Sequence, residues 1–293
     1  MTDHDLKARA IALYDRFTHI HHDRRAFMAE LTALAGGLAA AQALLGVIAA
    51  SPAAAAIVPA NDPRLTIDTP EWPGAHDRRM AGYRARPRLP KGPLPVVIVI
   101  HENRGLNDHI RDVARRVALE GFIAVAPDFL TPVGGTPADE DAARTAIGKL
   151  DLGQAVEDGA ATIGWAAQIG GGNRKVGAMG FCWGGAMTNR LAVAAGSALS
   201  AAVPYYGPAP DPSEAVKVKA PMLLQYAGID ERVNVTAEPW IAALRGAGVS
   251  VESHIYAGAN HAFNNDTSVE RYDADAARLA WGRTIAFLKR NLA

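Results

Sequence analysis

The 293-residue sequence contains a single cysteine, Cys182, which rules out an intramolecular disulfide. It has no charge excess, with 30 basic and 30 acidic side chains. The basic residues are scattered, so no electrostatic footprint for nucleic acid or an anionic lipid surface is present. Long apolar runs are also missing outside the N-terminal segment, and there Glu30 and Gln42 interrupt the run, which argues against a stable membrane span. No internal repeat is evident. What remains is a chain that is 49% hydrophobic and 20% charged, the balance of a globular protein able to bury a large core.

The chain divides by character into an arm, residues 1–60, and a body, residues 61–293. Within the arm, Met1 to His22 is polar and helix-compatible. Arg24-Arg25-Ala26-Phe27-Met28 then leads into an Ala, Leu and Gly run from Leu31 to Ala50, followed by Ser51-Pro52 and an alanine string. The segment resembles a twin-arginine export signal, which would send the protein to the periplasm. The alternative is a helical extension folded onto the body of a cytoplasmic protein, and the arm is then also a candidate homodimer contact. An unpaired thiol in an oxidising compartment argues mildly against export. His19, His21 and His22 lack partners at metal-ligand spacing and read as a solvated segment.

The body opens with a Pro-rich linker, Asn61 to Gly74, and then alternates short apolar runs with amphipathic stretches. Strands are predicted at Pro95–His101, Phe122–Ala126, Lys175–Met179, Ala201–Tyr205, Pro221–Tyr226 and Val251–Tyr256. Several are continuously apolar, as strands buried on both faces are. Helices are predicted at Ile110–Glu120, Leu152–Gln168, Gly185–Ala195, Ala237–Ala247 and Val269–Asn291, and Leu130–Leu150 reads as a loop or cap. The alternation defines an α/β protein with a mostly parallel central sheet flanked by helices.

The stretch Gly180-Phe181-Cys182-Trp183-Gly184-Gly185 follows a strand and opens a helix. It has the form of a nucleophile elbow with cysteine in the serine position. A sharp strand-to-helix turn needs neighbours without a Cβ, and Gly180 and Gly184 meet that need. The helix N-terminus favours thiolate and oxyanion alike. A buried structural thiol and a phosphate-binding turn are the competing readings of this segment, although it lacks a P-loop lysine and dinucleotide spacing. In α/β-hydrolases the chain order runs nucleophile, acid, histidine. Asp230 follows the strand ending at Tyr226, and His261 follows the strand ending at Tyr256, so both stand where that order requires. Alone, Asp230 reads as a surface turn residue, His261 as a loop residue and His254 as a structural strand residue. After the strand at Val96–Ile100, the loop His101-Glu102-Asn103-Arg104-Gly105 makes the Asn103 N–H a candidate oxyanion donor beside that of Trp183. Glu102 would lie near the thiol and oppose the helix dipole.

These motifs, together with Asn260-His261-Ala262-Phe263, Ala124-Val125-Ala126-Pro127-Asp128 and Val203-Pro204-Tyr205-Tyr206-Gly207, resemble the dienelactone hydrolase family over roughly Arg79 to Leu292. The resemblance implies an α/β-hydrolase fold and hydrolysis of a carboxylic ester or enol lactone through an acyl-enzyme, with no metal or organic cofactor. It also implies roles: Cys182 attacks, His261 shuttles protons, Asp230 orients the imidazole, and Glu102 takes part in activating the thiol. The family's best-known members carry an arginine shortly after the histidine, and here the chain runs into Asn264-Asn265-Asp266 instead. Asn265, Arg104, Arg144 and Arg271 are candidate substrate contacts in its place, though each arginine alone reads as a surface residue. The arm lies outside the basic family pattern and resembles that of a bacterial subgroup. Two readings compete with the esterase: a thioesterase or acyl transferase on the same fold, and a non-catalytic binding protein on it.

Overall fold

The computed structural model describes residues 2–19, 23–49 and 56–293. Nine strands form one sheet: β1 (Leu65–Asp68), β2 (Glu71–Pro73), β3 (Arg79–Pro87), β4 (Leu94–Ile100), β5 (Ile123–Pro127), β6 (Gly172–Phe181), β7 (Ala201–Tyr205), β8 (Met222–Ala227) and β9 (Val251–Tyr256). Their order is β1-β3-β5-β4-β6-β7-β8-β9, with β2 paired to β3. From β5 to β9 every pairing is parallel, and the β1, β2 and β3 pairings are antiparallel. The sequence reading missed β1, β2 and β3. It took residues 61–74 for a linker because their prolines and short, charged runs carry no core-strand signal, whereas an edge ribbon tolerates both.

The alternation within β4 shows how the sheet builds two cores. Val97 and Val99 pack with α4 (Asp108–Leu119) and α9 (Ala274–Leu292) on one face. Val96, Ile98 and Ile100 pack with α6 (Leu152–Ala166), α7 (Trp183–Ala194) and α8 (Glu231–Gly246) on the other. Successive strand side chains point to opposite faces, so a strand covered on both sides must be apolar throughout.

Local chemistry sets the helix starts. Asn107, Asp151, Asp230 and Asp273 each accept a backbone N–H as the N-cap of α4, α6, α8 and α9. The cap at Asp230 starts α8 six positions before the predicted Ala237. Val233, Ala237, Trp240 and Leu244 then give it a buried stripe that overrides the weak helix formers Val235 and Thr236 and the internal Pro239. The predicted start of the last helix at Val269 is likewise corrected to Ala274, because residues 268–272 are drawn into contacts with the arm. Part of the segment taken for a loop or cap is helical, α5 (Glu140–Gly148), capped by Asp139.

The arm forms three helices, α1 (Asp3–His19), α2 (Arg24–Ala35) and α3 (Leu38–Ile48), around a small core of Tyr14, Phe17, Phe27, Leu31, Ala41 and Ile48. Asp23 caps α2, and Gly36, at φ 78°, ends it. Among the described residues no single helix is long and apolar enough to cross a membrane, and α2 and α3 meet at a bend of 107°. His21, His22 and the Ser51-Pro52 alanine string lie outside the described residues, as does the side chain of His19.

Candidate active site

The site lies at the carboxyl ends of β4, β6, β8 and β9, spanning the point where the chain turns from the β5 side of β4 to the β6 side. In an open parallel sheet this is where a crevice forms. Cys182 follows β6 and precedes α7, with φ 57° and ψ −112°. Few non-glycine residues adopt such a backbone, at a cost of about 1–3 kcal/mol. The surroundings hold it there. Its N–H donates to Tyr205 O at 3.1 Å, and its own carbonyl accepts from Ala186 N–H at 3.0 Å. A Cβ on Gly180 would fall 2.2 Å from Gly184 O, and one on Gly184 would fall 2.4 Å from Ile100 O. These two positions tolerate no side chain, because the first turn of α7 presses directly on β6 and β4.

Asp230 and His261 come together through the loops after β8 and β9. Gly228 N–H donates to Tyr256 O at 2.8 Å and Ile229 N–H to Ala259 O at 3.2 Å, stitching one loop to the other. Asp230 divides its two oxygens: Oδ1 accepts Val233 N–H at 3.3 Å, and Oδ2 lies 2.5 Å from His261 Nδ1. His261 is buried, packs edge-on against Tyr206 with ring centroids 5.1 Å apart, and borders the same small space as Cys182. Burial alone would lower the imidazole pKa, but the charges and hydrogen bonds of Asp230 and Cys182 outweigh it and push the value up to about 10. Burial would raise the Asp230 pKa, and the His261 imidazolium outweighs that and holds the carboxyl below its ordinary range.

A histidine whose folded pKa lies above its free value of 6.5 stabilises the fold fully below pH 6.5, and that contribution is lost as pH rises through about 10. The melting temperature of the native protein should therefore fall toward that of His261→Gln as pH is raised across this interval. Thermal melts with parallel pH dependence for both proteins would show that His261 carries no such ion pair.

The loop after β4 is fixed by His101. Its Nε2 accepts Phe129 N–H at 3.3 Å, so its Nδ1 donates to Glu102 O at 2.7 Å, and its ring stacks on Trp183 at 5.3 Å. Burial keeps this imidazole neutral. The Glu102 carboxylate, also buried, accepts Asn265 Nδ2 at 2.7 Å. Asn265 Oδ1 in turn accepts from Thr267 N–H at 3.1 Å and Thr267 Oγ1 at 2.6 Å, which fixes the amide orientation. Ala186 makes the first bond within α7, so the Trp183 N–H lies outside the helical ladder. Asn103 donates through its side chain to Thr18 O at 3.1 Å.

Reading Arg104, Arg144 and Arg271 as surface residues is corrected: they are 5%, 7% and 4% exposed. The arm covers them. Arg104 donates to the Tyr14 hydroxyl and faces Glu140 Oε2 at 3.4 Å. Arg144 lies 4.2 Å from the Phe17 ring centroid and pairs with Asp141 at 3.0 Å. Arg271 donates to Ile48 O at 3.2 Å and lies 3.4 Å from Asp15. Asp230 is likewise buried, not a surface turn. Periodicity and motif carry no signal for contacts between an arm and loops so distant in the chain, and Tyr14 and Thr18 were missed for that reason. Tyr206 sits in a motif quoted from sequence but was given no role. Its buried hydroxyl has no hydrogen-bond partner among the described residues, and burial beside Glu102 and Cys182 pushes its pKa well above the ordinary value. Among the described residues no group of three or more His, Cys, Asp or Glu side chains could hold a metal ion.

The fold and this crevice define an α/β-hydrolase. A solved "Dienelactone Hydrolase-like Promiscuous Phospotriesterase" from metagenomic libraries, 24% identical, shares the fold with a TM-score of 0.70 over 78% of this chain and 100% of its own. The description "Dienelactone hydrolase family" matches residues 80–292. An Escherichia coli K12 protein named "Putative carboxymethylenebutenolidase" is 35% identical over 255 residues, 82% of this chain and 93% of its own. The crystal structure titled "Putative Dienelactone Hydrolase" from Klebsiella pneumoniae is 33% identical, with a TM-score of 0.68 over 77% of this chain and 99% of its own. The chain belongs to the dienelactone hydrolase family and is by family a carboxylic ester hydrolase.

Proposed function

We propose that the protein hydrolyses a carboxylic ester or an enol lactone through an acyl-enzyme on Cys182. The observation that carries this reading is the Cys182 elbow at φ 57°, which borders the same small space as a histidine that Asp230 holds at 2.5 Å. As Cys182 is activated its thiol proton passes to His261, whose raised pKa favours holding it.

The sulfur attacks the substrate carbonyl carbon, and the oxygen that becomes negative is received by the N–H groups of Trp183 and Asn103. His261 gives its proton to the leaving oxygen as the C–O bond breaks, leaving a thioester and a neutral imidazole. Water then attacks the thioester, His261 takes a proton from it, and the C–S bond breaks to release the acid and restore the pair. Asp230 holds the imidazole in the orientation both transfers need. Glu102, fixed by Asn265, sets a negative charge in the same enclosure and takes part in activating the thiol. A cavity of about 340 Å³, lined in part by Cys182, Trp183, Met187 and Ile147, offers the acyl group an apolar seat rimmed by Arg144, Arg190 and Arg232.

Hydrolysis of p-nitrophenyl acetate and of a dienelactone is expected, and both activities should disappear as iodoacetamide labels Cys182, followed by intact mass. Full turnover by protein alkylated at Cys182 would rule the mechanism out.

A further inference from the structure

Two spaces of unequal size meet at the Cys182 thiol. One is the acyl cavity of about 340 Å³. The other, bounded by Tyr14, Glu102, Arg104, His261 and Arg271, shrinks to about 10 Å³, room for no more than about one water. His261 borders only the smaller one. Since His261 must protonate the leaving oxygen, the leaving group departs into the smaller space.

The wall that closes this space comes from the arm. Tyr14 lies against it and its hydroxyl accepts from Arg104. Thr18, one helical turn on, lines both spaces, and its carbonyl accepts from Asn103, the residue whose amide faces the oxyanion. At its other end the arm is pinned by Ile48 O, which receives Ser268 Oγ at 2.7 Å and Arg271 Nε at 3.2 Å. Where the chain re-enters the body, Asp112 accepts Ile57 and Val58 N–H at 3.2 and 2.8 Å. An arm pinned at the loop after β4, at the loop after His261 and at α4 is part of the site's architecture. The family match covers residues 80–292, and these arm residues lie outside it.

Resting on the proposed thiol chemistry, we infer that Tyr14, supported by Thr18, is a specificity-determining wall that slows reaction at Cys182 for bulky leaving groups relative to small ones. Lactones suit such a wall best, because their leaving oxygen stays tethered to the acyl chain and needs no separate exit, and compact alcohols displace it least.

The test uses the full-length protein and two readouts. Rates of Cys182 labelling by pyrenyl-maleimide and by iodoacetamide give a bulky-to-small ratio independent of turnover. Rates for p-nitrophenyl and methyl esters of the same acid give the corresponding substrate ratio. Tyr14→Ala should raise both ratios about tenfold, by removing the ring that gates access. Tyr14→Phe cuts only the tie to Arg104, keeps the volume, and should raise them about threefold by loosening the arm. Unchanged ratios in variants that keep the native near-UV circular dichroism would overturn the inference. If the labelling ratio rises but no ester is hydrolysed by any form, the wall stands and the ester chemistry fails.

Discussion

Replacing Cys182 by alanine should lower kcat/KM for the ester substrate by about 10⁴-fold or more, equivalent to about 5.5 kcal/mol of transition-state stabilisation. The substitution removes only Sγ. Alanine tolerates the φ of 57° no worse than cysteine does, because both carry a Cβ. The oxyanion amides, the acyl cavity and the Asp230–His261 pair all persist, so substrate should still bind. Cys182→Ser should retain only a small residue of activity, since the hydroxyl offers no ready anion. The measurement is steady-state kinetics with thermal melts alongside. A folded Cys182→Ala protein with native turnover would mean that chemistry does not pass through this thiol.

Asp230→Asn is the second large effect, and it separates two duties of one side chain. Asp230 caps α8 through Val233 N–H and faces His261 Nδ1 with its other oxygen. Asparagine is as good an N-cap as aspartate, so the melting temperature should change little. The charge that holds the proton on His261 is lost, however, and the amide can present an N–H where an acceptor is needed. We expect kcat to fall by about 10³- to 10⁴-fold, the loss typical of a triad whose histidine takes the wrong tautomer. A decrease of less than about tenfold would reassign Asp230 to capping alone, since general acid–base catalysis itself contributes about 10²-fold or more.

The two variants concern residues legible in the sequence for different reasons. Cys182 announces itself locally: a strand, a turn with glycines on either side, and a helix start lie within one short segment. Asp230 and His261 are legible only through topology, since each follows a strand whose carboxyl end must face the same edge of a parallel sheet. The central strands were readable because burial on both faces demands apolar runs, and their observed bounds differ from the expected ones by at most one residue, except at β6. The β1, β2 and β3 ribbon was not readable, because an edge exposed to water imposes no such demand. The start of α8 was missed because a cap and four spaced apolar contacts outweigh the poor propensity of its first turn.

The arginines mark where sequence reasoning stops. Arg104, Arg144 and Arg271 are exposed on any local reading, since a charged side chain is rarely buried without partners. Beside Glu140 and Asp141, their partners here include Tyr14, Phe17, Asp15 and Ile48 O, on the arm and remote in the chain. The sequence alone determined the α/β class, and it supplied the chain order of the candidate loops and a candidate thiol, because these follow from periodicity, steric necessity at glycines and chain order. Tertiary structure alone decided that the arm roofs the thiol and leaves two unequal spaces beside it, because contacts across so long a stretch of chain depend on packing that no local pattern encodes.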